Sequence, residues 1–336
     1  MVIAWIGVHT RAFRRGTVLP TIILSAMPLF LISALRYGVG TDYFFTYVPY
    51  FNLLEAGAYV KDKEPLFKIL NQIIIFFNGS SQWVFVVCSL LFSYFTYSQV
   101  FRDSPYPWIS ISLLLGMTYF FISLNTVRQM VGVAILLYSI RFIEKKQLLK
   151  FLLCVLIATG FHYSCIVFII SYLGSRLKLD LIKSTFVSMI FLLIFLVTKD
   201  YLLSVIGGTQ YGWYIGSDFD NGTIGFYTIA IQLAVFIFSA VYRNDTYKYR
   251  IYLNLQLISL ILATIGSVIV LLERVRWMFG LPSIVLLPLA LENIKYKKHR
   301  LIMGFIIVLL FSLYATYTIG IRNGQEVLPY RTIFEV

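Results

Sequence analysis

The chain has 336 residues, of which 59% are hydrophobic and only 13% are charged, and its mean hydropathy is +0.82. A soluble globular fold cannot hide that much apolar surface from water. Apolar segments long enough to cross about 30 Å of hydrocarbon recur along the whole length. The composition therefore excludes a soluble enzyme and predicts an all-α, polytopic membrane protein without a sizeable soluble domain.

Long apolar segments predict the transmembrane helices. Nine of them are delimited, at 18–35, 81–101, 108–126, 127–143, 184–207, 223–242, 251–272, 276–292 and 301–319. Residues 149–175 carry His162 at their middle and adjoin basic loops at both ends, which predicts a pair of half-spans that enter and return. With this pair, the chain has about ten to eleven transmembrane helices in a single transmembrane domain, 1–336.

Two apolar segments are too short to span the membrane. Residues 64–78 carry Lys68, Asn71 and Gln72, which predicts an interfacial or re-entrant helix inside an outer region of residues 36–80. The first ten residues are either the end of a preceding helix or an interfacial anchor with Trp5 at the headgroups.

The net charge of +13 would suggest a nucleic-acid partner in a soluble chain, but in a membrane protein it first reports orientation. Six segments alternate onto one side, at 11–15, 102–107, 141–150, 176–183, 243–250 and 292–300. They hold 18 of the 28 Lys and Arg residues but only five of the 15 Asp and Glu residues. The sequence therefore predicts that these segments and the N-terminus are cytoplasmic, and it excludes nucleic acid as the default partner.

Metal and disulfide chemistry find little support in the sequence. Cys88, Cys154 and Cys165 lie in apolar segments without disulfide or metal-ligand spacing. Asp218 and Asp220 form a DxD pattern, but nucleotide-sugar enzymes use that motif on the cytoplasmic side and here it faces outward. We therefore expect neither a metal nor another cofactor.

Ionisable groups at membrane depth or at an outer helix end are costly and mark candidate functional sites. All such residues fall on the predicted outer side: Arg36, Asp42, Arg128, His162, Glu273, Arg274 and Arg276. Arg36 and Asp42 flank a glycine-broken helix end, so they are an anion ligand and a base, or equally a snorkelling arginine and an N-capping aspartate. Arg128 opposes the usual inward bias of arginine, which favours a functional role.

The remaining outer groups also leave alternatives open. His162 is a base or ligand near the half-span tip, or a histidine bonded to a neighbouring helix, and the residues alone slightly favour the second. Arg274 and Arg276 have the forked donors that suit phosphate, with an ion pair to Glu273 as the competing explanation. Tyr211 and Trp213, in the glycine-rich outer loop 207–225, offer either a sugar-stacking surface or part of an interfacial aromatic belt.

Five short motifs follow one another in a fixed order along the chain. They are LRYGVGTDYFFTY (35–47), EPLFKIL (64–70), NTVRQMVGVAILLYSIRFIEKKQ (125–147), FLLCVLIATGFHYSCIVF (151–168) and the tail VLPYRTIFE (327–335). With them, the chain resembles the EpsG-like family of bacterial exopolysaccharide, capsule and O-antigen polymerases of the Wzy-dependent type. The resemblance covers nearly the whole chain and implies a membrane glycosyltransferase of the all-helical, GT-C-like kind in the bacterial inner membrane.

The resemblance also implies a reaction and a site. Oligosaccharide repeat units carried on undecaprenyl diphosphate would be joined at the outer face, with the lipid bilayer, a chain-length regulator and a flippase as candidate partners. The catalytic candidates are Asp42, preferred as the base, and His162. The substrate-binding candidates are Arg36, Tyr43, Glu64, Arg128, Gln129, Arg274, Arg276, Tyr211 and Trp213.

Two other functions compete with the polymerase. A lipid-linked oligosaccharide flippase should place charges at the midplane and contain inverted repeats, whereas here the charges gather at one face and no halves correspond. A membrane acyltransferase would need a histidine in a cytoplasm-accessible channel, and the predicted outer position of His162 argues against it.

Overall fold

The computed structural model describes residues 18–60, 64–178, 181–208, 226–266, 269 and 271–335. These residues are almost entirely helical, and the isolated β-bridge between Arg36 and Thr332 is the only strand pairing among them. The all-α prediction is therefore confirmed. The chain divides into two compact units, Met1–Ile166 with Ile294–Val336 (unit 1) and Val167–Asn293 (unit 2).

Unit 1 contains the first helices and the last one. They are α1 (Val18–Ala34), α2 (Val48–Glu55), α3 (Pro65–Phe76), α4 (Gln82–Asp103), α5 (Pro107–Gly116), α6 (Tyr119–Asn125), α7 (Val127–Glu144), α8 (Leu148–Phe161) and α15 (Lys297–Ala315). Short π-helical segments, Tyr43–Tyr47 and Thr316–Ile321, precede α2 and follow α15. Helix α7 forms the core of unit 1. Its apolar side chains between Met130 and Leu137 are each at most 2% exposed.

Unit 2 begins inside a 3-10 helix, Tyr163–Ile169. Its helices are α9 (Ile170–Gly174), α10 (Leu181–Gly207), α11 (Phe226–Val241), α12 (Tyr247–Gly266), α13 (Leu271–Gly280) and α14 (Ser283–Glu292). Inside unit 2, the buried Gln256 amide donates to Gln232 Oε1 at 2.9 Å and joins α12 to α11. Such side-chain bonds satisfy polar groups that hydrocarbon cannot.

Five helices within the described residues are long and apolar enough to cross a membrane, and the bent pair α5 and α6, at 54°, makes a sixth. They are Gln82–Asp103, Lys183–Val205, Tyr247–Gly266, Leu272–Glu292 and Lys297–Ile321. Five other apolar helices are shorter. The predicted number of ten to eleven includes four of them, and the fifth, Pro65–Phe76, is the helix predicted to be interfacial or re-entrant. The chain is thus a polytopic membrane protein.

The structure corrects one predicted boundary. The segment containing Glu273 and Arg276 was expected between two spans, but it forms the first turns of α13, at the start of the candidate span Leu272–Glu292. Glu273 accepts hydrogen bonds from Arg276 and Trp277, three and four residues later. Because this spacing lies on one face of a helix, the charges stabilise the helix start instead of ending it.

The short helix α3 and the break at His162 both lie where the sequence predicted them. Pro65 occupies the first turn of α3, where a missing N–H costs nothing, and it forces Glu64 into an extended conformation with φ −55° and ψ 134°. Helix α8 ends at His162, which is also extended, with φ −157° and ψ 120°. The return of the half-spans to one side of the membrane stays a prediction.

A close backbone approach joins the loop after α1 to the end of α6. Gly40 has φ +89°, and a Cβ atom there would lie 3.1 Å from the carbonyl oxygen of Leu124. The Asp42 amide donates to Asn125 Oδ1 at 2.9 Å across the same contact. The fold therefore requires glycine at position 40, both because φ is positive and because a Cβ atom would be too close to the Leu124 carbonyl.

The C-terminal residues 322–335, here called the C-terminal strap, cover this loop. The Tyr37 amide donates to the Arg331 carbonyl at 2.9 Å, and the Gly40 amide donates to the Glu326 carbonyl at 3.1 Å.

The C-terminal end of α4 carries a different set of charges, because Arg102 there pairs with Glu144 at the end of α7. A helix of 22 residues is about 33 Å long, so the predicted outer loops of unit 1 gather at one end and its predicted cytoplasmic loops at the other.

Substituting Gly40 should destabilise the fold more than substituting a glycine in open space. Gly40→Ala adds both left-handed strain and a backbone contact, whereas Gly57→Ala at φ +69° adds strain alone, since nothing lies within 4 Å of its Cβ position. We expect a cost of about 1 to 3 kcal/mol for the strain in each variant and a lower unfolding temperature for Gly40→Ala. Equal unfolding temperatures in detergent would contradict the close approach.

Cysteine labelling tests the sidedness of unit 1. Glu326→Cys should react with a membrane-impermeant maleimide in intact cells, whereas Lys145→Cys and Lys297→Cys should react only after lysis. The chain with its three native cysteines supplies the background signal. Labelling of Glu326→Cys and Lys145→Cys from the same side would contradict the topology.

Candidate active site

Glu64 lies at the centre of a charged cluster in unit 1. One oxygen of its carboxylate accepts a hydrogen bond from an Arg128 Nη atom, and the other lies 2.8 Å from His162 Nδ1. The exposed fraction of the side chain is 7% for Glu64, 15% for Arg128 and 17% for His162. The structure thus brings together three of the predicted site residues in a mostly buried position that keeps some access.

Three helix ends supply the cluster. Glu64 precedes Pro65 at the start of α3, Arg128 lies in the first turn of α7, and His162 follows the last residue of α8. Helix termini carry unsatisfied backbone groups and break regular packing, so polar side chains there can converge on one point. The short α3 therefore has a definite role, because it delivers a carboxylate to the arginine and the histidine.

The charges of the cluster favour an ionised Glu64. Burial alone would raise the pKa of this carboxyl, but the hydrogen bond with His162 and the positive charge of Arg128 outweigh burial and bring the pKa below its ordinary value. The folded-state pKa is thus depressed. The stabilisation it gives is present at neutral pH and is lost only as the pH falls through the acid range below that ordinary value.

An ionised carboxylate can only accept, so His162 Nδ1 carries the hydrogen of this contact. His162 Nε2 has no hydrogen-bond partner among the described residues. A carboxylate that holds one imidazole nitrogen as donor orients the other as proton acceptor. The pair Glu64 and His162 therefore has the arrangement of an oriented general base.

Two aromatic rings flank the Arg128 guanidinium. Its central carbon lies 5.9 Å from the Tyr47 ring centroid and 5.3 Å from that of Phe67. Both rings are at most 4% exposed, so they shield the cation and hold it by cation–π attraction. Sequence reasoning missed both residues, although Tyr47 closes one quoted motif and Phe67 lies within another.

Asp42 lies close enough to Arg128 for their charges to interact, but its carboxylate makes a separate hydrogen bond. Its carboxylate accepts from Thr46 Oγ1 at 3.1 Å, and no side-chain bond caps the helical segment that Asp42 begins. No hydrogen bond joins Asp42 to Glu64, Arg128 or His162 within the described part of the chain. Asp42 thus holds the N-cap position of this segment without a side-chain cap bond, and the expected role as a base stays a prediction.

Arg36 and Tyr43 lie in the framework beside the cluster. Arg36 is 1% exposed, its guanidinium donates to the carbonyl oxygens of Ser33 and Leu124, and it lies 4.7 Å from the Phe85 ring centroid. The snorkelling alternative is therefore wrong. Tyr43 stacks on Phe85 at 4.3 Å and donates to Gln82 Oε1 at 2.8 Å.

The remaining predicted residues divide by location. Gln129 is 3% exposed in α7, next to Arg128. In unit 2, Arg276 donates through Nε to Glu273 Oε2 at 2.7 Å and through a second nitrogen to Glu273 Oε1, so the ion-pair explanation is realised there. Arg274 is half-buried on the same helix. The joint action of Arg274 and Arg276 with Arg128 stays a prediction.

Some predictions lie outside the described residues, namely those for Tyr211, Trp213, Asp218 and Asp220. Within the described ranges, no group of three or more His, Cys, Asp or Glu side chains could hold a metal ion.

Removing Glu64 should destabilise the protein through Arg128. Glu64→Gln leaves a buried guanidinium without its counter-ion, so we expect the free energy of unfolding to fall by roughly 3 kcal/mol. Glu64→Gln with Arg128→Gln should cost less than the sum of the single changes, with a coupling of about 0.5 to 3 kcal/mol. The exposed Glu55→Gln is the matched control. Strict additivity in detergent unfolding would contradict the pair.

The comparisons with known proteins agree with this arrangement of motifs. The family model described as EpsG family matches residues 20–332 of the 336. Neither the curated proteins nor the solved structures provide a match. The family match spans the loop of Asp42, the cluster of Glu64, Arg128 and His162, both units, and most of the C-terminal strap. On that evidence, the chain belongs to the EpsG family.

Proposed function

We propose that this chain is a polysaccharide polymerase that joins undecaprenyl-diphosphate-linked oligosaccharide repeat units at the outer face of the bacterial inner membrane. The EpsG family is linked to exopolysaccharide synthesis. The observation that carries the proposal is Glu64, which binds one guanidinium and one imidazole at the same time. A glycosyl transfer from a lipid diphosphate requires these two functions, a cation for the leaving group and a base for the acceptor.

The proposed reaction balances without a further reactant. The anomeric carbon of the donor glycan loses its bond to the diphosphate oxygen, which leaves with the electron pair. The acceptor hydroxyl oxygen forms the new bond to that carbon and gives up its proton. No nucleotide sugar is available outside the cytoplasmic membrane. The donor glycan therefore has to carry its own leaving group, which is the lipid diphosphate.

Arg128 is the proposed ligand of the diphosphate. A guanidinium has five N–H donors in a planar fork, and the contact with Glu64 leaves others available for phosphate oxygens. Tyr47 and Phe67 exclude water from its faces, which strengthens its attraction for developing negative charge. Arg274 and Arg276 are proposed as additional ligands, and use of Arg276 would require it to leave Glu273.

His162 is the proposed base. Sequence reasoning preferred Asp42, but the contact with Glu64 orients the imidazole of His162 with its free nitrogen as acceptor. After the transfer, Glu64 would stabilise the imidazolium. Asp42 is proposed to bind an acceptor hydroxyl, because Thr46 occupies only one of its oxygens among the described residues. Gln129 and Tyr43 would support these residues from buried positions.

Deletion of the gene tests the function against the flippase alternative. A strain without the polymerase should keep surface glycans of a single repeat unit and lose the long polymer. A flippase mutant would instead leave no repeat unit outside. Electrophoresis of surface polysaccharide separates these outcomes, and unchanged polymer in the deletion strain would reject the polymerase.

Two substitutions test the assignment of the base. His162→Gln should reduce elongation by about 10²–10⁴-fold, the usual contribution of a general base, and Asp42→Asn should reduce it less. His299→Gln, at an exposed position in the first turn of α15, is the matched control and should behave like the wild type. Normal polymer from His162→Gln with none from Asp42→Asn would return the role to Asp42.

A further inference from the structure

A cavity lies between the C-terminal strap and the loop that carries Asp42. Its volume is about 440 Å³, and all of its lining residues belong to unit 1. It is lined by Tyr37, Gly38, Phe44, Asn323, Glu326, Leu328, Pro329 and Arg331. Small-molecule sites have volumes of about 300–1,000 Å³, so the cavity is large enough for a ligand of several rings.

The chemistry of the lining suits a sugar. Tyr37 and Phe44 form an edge-to-face pair with ring centroids 5.5 Å apart, and Phe44 is 49% exposed. Aromatic rings at such a site offer apolar faces on which a pyranose ring can stack. Glu326 supplies a hydrogen-bond acceptor and Arg331 supplies donors, which together match the hydroxyl groups of a carbohydrate.

The charges argue against a phosphate in this cavity. Glu326 and Arg331 carry opposite charges, so the lining has no net charge to attract a diphosphate. Neither side chain has an ion-pair or hydrogen-bond partner among the described residues. The two groups therefore stay available to a neutral, hydroxyl-rich ligand.

The backbone of the strap is held in a strained conformation at this place. Asn323, Gln325 and Glu326 have φ values of 48°, 73° and 50°, in the left-handed region. Asn323 fixes the turn, because its side chain bonds to the carbonyl and the amide of Leu328 at 2.8 and 2.9 Å. Non-glycine residues adopt such conformations at a cost and concentrate at ligand sites.

The cavity is linked to the proposed active site through Asn125. Its side chain accepts from the Asp42 amide at 2.9 Å and donates to Gln325 Oε1 at 3.1 Å. Arg128 follows three residues later in the chain. Gly38, in the lining, is only four residues from Asp42, so their Cα atoms are at most about 14 Å apart. An oligosaccharide can span this distance.

We infer that the cavity between the strap and the loop is a glycan subsite, which binds a neutral sugar of the repeat unit while the diphosphate binds elsewhere. This inference rests on the proposed function for the identity of the glycan. According to this inference, the C-terminal strap is part of the substrate site and positions the glycan relative to Asp42.

Direct binding tests the subsite independently of polymerisation. The probe is the repeat-unit oligosaccharide of the source organism, released from its lipid by mild acid, and titrated calorimetrically into the purified chain in detergent. We expect wild-type binding, and binding weakened about tenfold in Arg331→Gln and in Glu326→Gln, as for loss of one hydrogen bond to a charged group. Tyr37→Ala should weaken it similarly through lost stacking.

Arg322→Gln is the matched control, since Arg322 belongs to the same strap but does not line the cavity. Only variants whose unfolding temperature equals that of the wild type are compared, and Tyr37→Leu, which also removes the aromatic ring, replaces Tyr37→Ala if the latter unfolds. Absence of wild-type binding, or equal binding by Arg331→Gln, Glu326→Gln and Arg322→Gln, would overturn the subsite. Binding with the expected losses in a chain that makes no polymer would instead reject the polymerase and leave the subsite standing.

Discussion

The ion pair between Glu64 and Arg128 is the constraint on which the proposed site depends. A largely buried guanidinium is costly unless it is paired, and Glu64 supplies the opposite charge from the start of a 12-residue helix. Since the other carboxylate oxygen contacts His162, the same interaction fixes the imidazole. The Glu64 carboxylate therefore neutralises the Arg128 charge and also orients the His162 imidazole. These two roles explain why a glutamate precedes a helix that is too short to span the membrane.

A second constraint acts on the backbone around this pair. Gly40 permits the loop after α1 to contact Leu124 and Asn125, and the C-terminal strap then covers the loop through the amides of Tyr37 and Gly40. Residues nearly 300 positions apart in sequence thus define one end of unit 1, as in the hydrogen bond from Tyr330 to the Ile32 carbonyl. A proposed glycan subsite at this end would place the sugar on a surface that neither segment forms alone.

Much of this fold could be predicted from the sequence because hydrocarbon imposes simple rules. Apolar length predicted the helices, and Pro65 and His162 marked real boundaries. Individual contacts were harder to predict. The resemblance placed Glu64, Arg128 and His162 in one site, but periodicity could not show that Glu64 bridges the other two. Nor could it show that Arg36 bonds to backbone carbonyls, since tertiary packing decides which polar groups a buried side chain meets.

The central claim is that Glu64 couples a leaving-group cation to a base in one glycosyl transfer. The most direct measurement follows undecaprenyl diphosphate and polymer together in proteoliposomes that contain the purified chain and lipid-linked repeat units. We expect one undecaprenyl diphosphate to be released for each glycosidic bond formed, and both products to fall by at least about 100-fold in folded Glu64→Gln. Polymer without lipid diphosphate release, or wild-type rates from Glu64→Gln, would contradict it.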